Sequence, residues 1–184
     1  AQPIQWPAVI IGAMNREGDR DRFKIHVPAG KELVCILKDA APNFLVSFLA
    51  ADGKPLTTSD AFGVETEARL GHRFEQEGDY FIEVSHKDLK RDLGYRLFVG
   101  EFPWVYEVSP LGIPAGAPRT VSVKGFNIGG AAALEVHPPA TAVPWQTMDL
   151  PLPAYENNPM PSVKLALAQY PAVAEAEPND TPAT

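Results

Sequence analysis

The sequence predicts an all-β protein built from two antiparallel β-sandwich units. Three observations point there. Nineteen prolines and fourteen glycines in 184 residues are more than a helical protein tolerates, because proline breaks helices and glycine weakens them. Apolar residues recur at every second position over short stretches, the period of a half-buried strand. Turn-forming dipeptides and tripeptides separate those stretches.

The elements follow in order. "DRFKIHVPAG" places Phe23, Ile25 and Val27 on one face and Arg22, Lys24 and His26 on the other, and Pro28-Ala29-Gly30 then turns the chain. "ELVCILKD" is a nearly continuous apolar run. It predicts a strand buried on both faces, with Cys35 as a small core hydrophobe. "NFLVSFLAADGKPL" predicts a strand that ends in an Asp52-Gly53 turn. "EARLGHRFEQEGDYFIEVSH" reads as a hairpin: Leu70, His72 and Phe74 share a face in one arm, Tyr80, Ile82 and Val84 in the other, with Glu77-Gly78-Asp79 as the bend. "GYRLFVGEF" closes the series with Tyr95, Leu97 and Val99 aligned. Together these describe a sandwich of roughly 100 residues.

The pattern changes near Glu101 to Pro103. Val121 and Val123 alternate in a further strand, and "AALEVHPP" and "SVKLALAQYP" predict two more. The proline-rich "PPATAVPWQTMDLPLPAYENNPMP" between them reads as a long ordered connection, not a core element. The expected units are residues 1–102, a smaller Ig-like sandwich at 103–170, and an acidic linker at 171–184.

Charge and motifs narrow the function. Sixteen basic and 23 acidic residues leave a net charge of −7. An acidic chain without a basic stripe argues against nucleic acid and against an anionic membrane surface. No apolar run reaches the length of a membrane span. "AQPIQWP" lacks a signal-peptide pattern. One cysteine excludes an internal disulfide. The metal-protease, nucleophile-elbow and phosphate-loop motifs are absent, and His26, His72, His86 and His137 are scattered. The expectation is a protein without catalytic activity.

Two acidic features remain. "EGDRDRF" sets Asp19 and Asp21 just before a strand, where a solvated turn is the simplest reading. "EAEPND" crowds oxygen donors near the end of the chain. If it is extended, Glu175, Glu177 and Asn179 point the same way, with Asp180 adding a further oxygen. Such donors suit Ca²⁺, which takes six to eight hard ligands, but a second cluster of the Asp19–Asp21 type is needed to complete a shell. A disordered acidic linker accounts for the composition equally well. Asn179-Asp180-Thr181 also matches a short glycosylation sequon. Among the aromatics, Trp6 and Trp104 are expected to pack between elements. Trp145 and Tyr155, in the proline-rich connection, are the candidates for stacking on a saccharide or packing on an extended polypeptide.

The ordered set "IIGAMNREGDRDRFKIHVPAGKELVCIL", "FLAADGKPL", "RLGHRFEQEGDYFIEV", "YRLFVG" and the tail "EPNDTPAT" resembles the bacterial pre-peptidase C-terminal (PPC) domain. The resemblance covers residues 1–102 and the tail. It implies a non-catalytic, jelly-roll-like sandwich of a secreted, periplasmic or cell-surface protein, of the kind that flanks peptidases and includes collagen-binding domains. In calcium-binding members an acidic segment leading into the domain meets a GDxD loop. The matching positions are Glu175, Glu177, Asn179 and Asp180 for the segment and Asp19 and Asp21 for the loop. In the family that segment precedes its domain, whereas here it ends the chain. The resemblance therefore implies one period of an array, with a calcium site split between neighbouring modules and incomplete within this chain. "VSPLGIPAGAPRTVSVKGFNIGG" resembles IPT/TIG-type Ig-like modules. The implied partners are adjacent modules of the same polypeptide, and a polysaccharide or extended polypeptide if the unit binds a ligand.

Overall fold

Alternation every second residue sorts side chains between a core and solvent, and it recurs through most of the strands. A computed structural model of the chain describes residues 1–60, 67–88, 90–129, 133–152 and 162–169. The described residues form strands and no helix. The strands are β1 (Gln2–Pro3), β2 (Ala8–Met14), β3 (Arg20–Val27), β4 (Glu32–Lys38), β5 (Phe44–Leu49), β6 (Pro55–Asp60), β7 (Ala68–Arg73), β8 (Gly78–His86) and β9 (Leu93–Gly100), followed by β10 (Trp104–Ser109), β11 (Gly112–Pro114), β12 (Arg119–Phe126), β13 (Ala133–Val136), β14 (Thr147–Asp149) and β15 (Lys164–Ala168). The fold is all-β.

The first nine strands make two sheets, ordered β1-β3-β8-β5-β6 and β2-β9-β4-β7. From β2 to β9 the chain crosses between these sheets at every connection except the β5–β6 hairpin. That hairpin turns at Asp52-Gly53 as the sequence predicts, with Gly53 at φ 84° and Lys54 N–H donating to the Asp52 carboxylate at 3.0 Å. Phe23, Ile25 and Val27 of β3, Val46 and Phe48 of β5, and Ile82 and Val84 of β8 fill the core from one sheet. Leu33, Cys35 and Leu37 of β4, Leu70 of β7, and Tyr95, Leu97 and Val99 of β9 fill it from the other. Burial in that apolar setting pushes the Cys35 thiol far above its ordinary range, so it is an inert core residue.

Residues 68–86 correct the hairpin expectation. β7 pairs with β4 and β8 pairs with β3 and β5, so the bend between them bridges the two sheets. Leu70 and Val84 enter the same core from opposite sides, and the alternation within each arm is the same whether the arms pair or face each other. Phe74 anchors the crossing. Its N–H donates to the Lys31 carbonyl at 2.8 Å and its carbonyl accepts from Gly30 at 2.7 Å. Its ring packs edge-on against Phe48, His72 and Tyr80.

The remaining strands form sheets β10-β12-β13 and β11-β15-β14 around a separate cluster of Ile113, Val121, Val123, Val136, Leu150, Leu165 and Leu167. The proline-rich connection is more than a connection. β14 pairs with β15, Leu150 is buried, and Met148 and Leu152 pack on the cluster. Its apolar positions are spaced between prolines, so no strand period betrays them. Two pairings, β1–β3 and β11–β15, are parallel, which the antiparallel expectation did not include.

Truncating Phe74 removes the ring that seats the sheet-to-sheet crossing. Phe74→Ala is expected to cost about 3–5 kcal/mol, read as a lowered urea midpoint.

Candidate functional site

Asp19 and Asp21 take different roles because they sit on different sides of the start of β3. Asp21 lies within the strand and shares the inward parity of Phe23. It meets Tyr95 of β9, whose hydroxyl donates to Oδ2 at 2.6 Å. Gly12, paired with Tyr95 across β2 and β9, makes the contact possible, since a β-carbon there would overlap the tyrosine ring. Burial first, and then the hydrogen bond to Asp21 and the charges of Asp21 and Asp19, push the Tyr95 phenol well above its ordinary range. Asp19 closes the preceding turn. Its carboxylate accepts from the N–H groups of Asn15 and Arg20, both at 3.1 Å, and Gly18 supplies the positive φ. These oxygens suit part of a hard-cation shell. Among the described residues no group of three or more His, Cys, Asp or Glu gathers to hold a metal ion. Glu175, Glu177, Asn179 and Asp180 lie outside the described residues.

A second feature is the junction between the two clusters. Asn127, buried and at φ 53°, donates its backbone N–H to Glu32 Oε2 at 2.7 Å. Its side-chain amide donates to the carbonyls of Glu32 at 3.2 Å and Phe102 at 3.1 Å. Beside it a cleft of about 700 Å³ is lined by Lys31, Glu32, Arg73, Glu101, Tyr106 and Lys124, among others. Its charged groups are committed to each other or to neighbours: Lys31 to Glu101 at 3.0 Å, Arg73 to Glu32 at 3.3 Å, and Lys124 to Glu107 at 2.8 Å.

The aromatics divide. Trp6 is partly buried and donates to the His26 carbonyl at 3.0 Å. Trp104 stacks on Phe126 with ring centroids 6.0 Å apart. Trp145 is 97% exposed and held at φ 67°, a backbone state that costs a bulky residue energy. Gln146 fixes it. The Gln146 carbonyl accepts from Leu167 at 2.8 Å and its side-chain oxygen accepts from Val143 N–H at 3.0 Å. Tyr155 lies outside the described residues.

Sequence reasoning did not find Tyr95 as the partner of Asp21, Asn127 as the junction residue, or Glu83. Glu83 is only 6% exposed, and Arg20 and Arg22 each donate to one of its oxygens at 2.6 Å. The signal was present in "FIEV", a glutamate inside an apolar run opposite two arginines of matching parity.

Several solved structures are similar to part of this chain. The pre-peptidase C-terminal domain of a collagenase from Bacillus anthracis matches 53% of this chain and 92% of its own, at 16% identity and a TM-score of 0.46. PliG of Aeromonas hydrophila, a periplasmic inhibitor of g-type lysozyme, matches 54% of this chain and 93% of its own, at 14% identity and a TM-score of 0.38. No protein-family model matches the sequence, and no curated protein does.

The Tyr95–Asp21 bond has a pH signature. The folded protein keeps the phenol proton where the unfolded chain, with a phenol pKa of about 10, has released it. The contribution is therefore full below about pH 10 and is lost as pH rises beyond it. Tyr95→Phe is expected to cost about 1–3 kcal/mol near neutrality. Between about pH 10 and about pH 12 its stability should decline less steeply than that of the wild type, measured by urea unfolding.

Proposed function

We propose that the chain is a non-catalytic spacer and accessory module of a large secreted, periplasmic or cell-surface protein, with a PPC-like unit at residues 1–102 and an Ig-like, IPT/TIG-like unit at 103–170. One observation carries the reading: the two units are pinned by buried, directional contacts. Asn127 spends its backbone N–H and its side-chain amide on the junction, and Phe126 lies over Gly71, where a β-carbon would overlap the ring. Stiffness of this kind suits a unit that holds neighbouring modules at a set distance. The cleft beside the junction supports it, because its charges are spent on ion pairs and not held ready for proton transfer. The motif order "GDRDRF", "ADGK", "GDYFIEV", "YRLF" supports the assignment of the first unit. In this reading the partners are adjacent modules of the same polypeptide, and Asp19 and Asp21 form half of a Ca²⁺ site that an acidic segment of a neighbouring module completes.

Asn127→Ala leaves two junction carbonyls without their donor and puts alanine in a left-handed backbone state. It is expected to cost about 1–3 kcal/mol and to loosen the two units, read as a broadened set of inter-unit orientations by residual dipolar couplings with each unit still folded. Unchanged couplings would count against the spacer reading. For calcium, calorimetric titration of this chain should show no strong one-site binding, while the chain extended at its N-terminus by a copy of "EAEPNDTPAT" should bind and lose binding with Asp21→Asn. Strong one-site binding by the monomer of this chain would contradict the split site.

Trp145 favours a second reading, a carbohydrate-binding module. A tryptophan held fully exposed in a costly backbone state offers a flat face for stacking on a sugar ring. Affinity electrophoresis through polysaccharide gels tests it: retardation that Trp145→Ala abolishes supports the reading, and migration unaffected by polysaccharide removes it.

A further inference from the structure

A sheet edge offers unpaired N–H and C=O groups to any passing strand, so folded proteins blunt their edges with brevity, charge, proline or bulges. The other described edges here are blunted. β1 has two residues and includes Pro3, and β6 carries Pro55 and Asp60 beside a bulge. β7 carries Arg69 and Arg73. β10 is bulged, β13 carries Glu135, and β11 and β14 have three residues each. β2 is the exception. Its seven residues, "AVIIGAM", contain no charge and no proline, and its register with β9 is unbroken. Among the described residues β9 is its only strand partner. Val9 is 57% and Ile11 82% exposed.

Alongside β2 runs a groove of about 550 Å³. Five consecutive residues, 8–12, line one wall, which means that the groove follows the backbone and not one face of the strand. Gln2, Ile4, Gln5, Asp21, Phe23 and Tyr95 complete the lining. Among the described residues no lysine, arginine or histidine lines it, and the Asp21 carboxylate there accepts from the Tyr95 hydroxyl.

We propose that this groove is a strand-addition site for an extended polypeptide with apolar residues at alternate positions and a lysine or arginine that reaches Asp21. Backbone hydrogen bonds to the free edge of β2 provide the pairing, about 4.8 Å from strand to strand. Val9 and Ile11 cover one set of alternate side chains, and Asp21 selects for positive charge. A second copy of β2 is the poorer occupant, because it brings no cation to Asp21. The site does not rest on the spacer reading, since it lies away from the junction, but it shares Asp21 with the proposed Ca²⁺ half-site, so peptide binding is measured in EDTA.

The test uses the whole chain and two blocked heptapeptides, KVTVTVK and EVTVTVE, followed by amide chemical shifts and hydrogen exchange. The expected result is saturable shifts and slowed exchange within residues 8–14 on adding KVTVTVK, with EVTVTVE weaker by about tenfold. Ile11→Lys, at a mostly exposed position, should weaken KVTVTVK by at least about tenfold, and Asp21→Asn should erase the preference between the peptides. The proposal is overturned if a folded chain shows no shift in these residues up to about 1 mM peptide, or if both peptides bind the wild type equally. Protection of the β2 amides without peptide, together with a dimer in sedimentation equilibrium, would overturn it in favour of a second copy.

Discussion

Val34 sits on the face of β4 that points away from the main core, yet it is fully buried. Its neighbours across the sheet are Gly71 of β7 and Gly100 of β9. Both glycines leave space that aromatic rings occupy: Phe126 over Gly71, and Phe102 at 3.0 Å from where a β-carbon on Gly100 would lie. The row Gly71–Val34–Gly100 is thus a shallow apolar seat, and Phe126 of β12 and Phe102 supply its cover. The junction depends on this seat. Once the rings are down, Asn127 is carried to Glu32, and the partly buried carbonyls of Glu32 and Phe102 find its side-chain amide as donor. Without the glycines the rings could not approach, and those polar groups would be left to water or to nothing.

The same economy governs the charged residues. The acids that matter structurally are fasteners between distant parts of the chain. Glu83 holds Arg20 and Arg22 across β3 and β8, Glu32 holds Asn127, and Asp21 holds Tyr95. A buried carboxylate is tolerable only when its oxygens are occupied by donors. Among the described residues no buried side-chain oxygen or nitrogen lacks a partner. Glu83 ties neighbouring strands of one sheet, Asp21 ties the two sheets of the first cluster, and Glu32 ties β4 to Asn127.

Much of the fold was legible because period-2 burial is a local property. Phe23, Ile25 and Val27 face inward, as do Tyr95, Leu97 and Val99, and the Asp52-Gly53 turn falls where its residue types require. What failed were statements about pairing. The two arms around Glu77-Gly78-Asp79 look alike as a hairpin or as an arch, since each buries its apolar set in either case. The choice turned on the partners that β4 and β3 had available, and these are distant in sequence. The proline-rich connection failed for a related reason: Leu150 and Met148 reach the second core singly, and isolated apolar residues carry no period. At the candidate site, Asp19 and Asp21 were visible as a pair of acids, while Tyr95 and Gly12 were invisible as their surroundings.

The sequence by itself determined the all-β class, the strand faces, the principal turns and the acidic character, because each follows from neighbouring residues and backbone preference. Only the tertiary structure decided which strands share a sheet, that Phe126 and Phe102 close over Gly71 and Gly100, that Asn127 locks onto Glu32, and that β2 is left as an open edge. The reason is physical. Alternation states that a face must be covered but not by what. The cover is chosen by shape and hydrogen-bond partners from residues as far apart as 32 and 127, whose meeting no local pattern records.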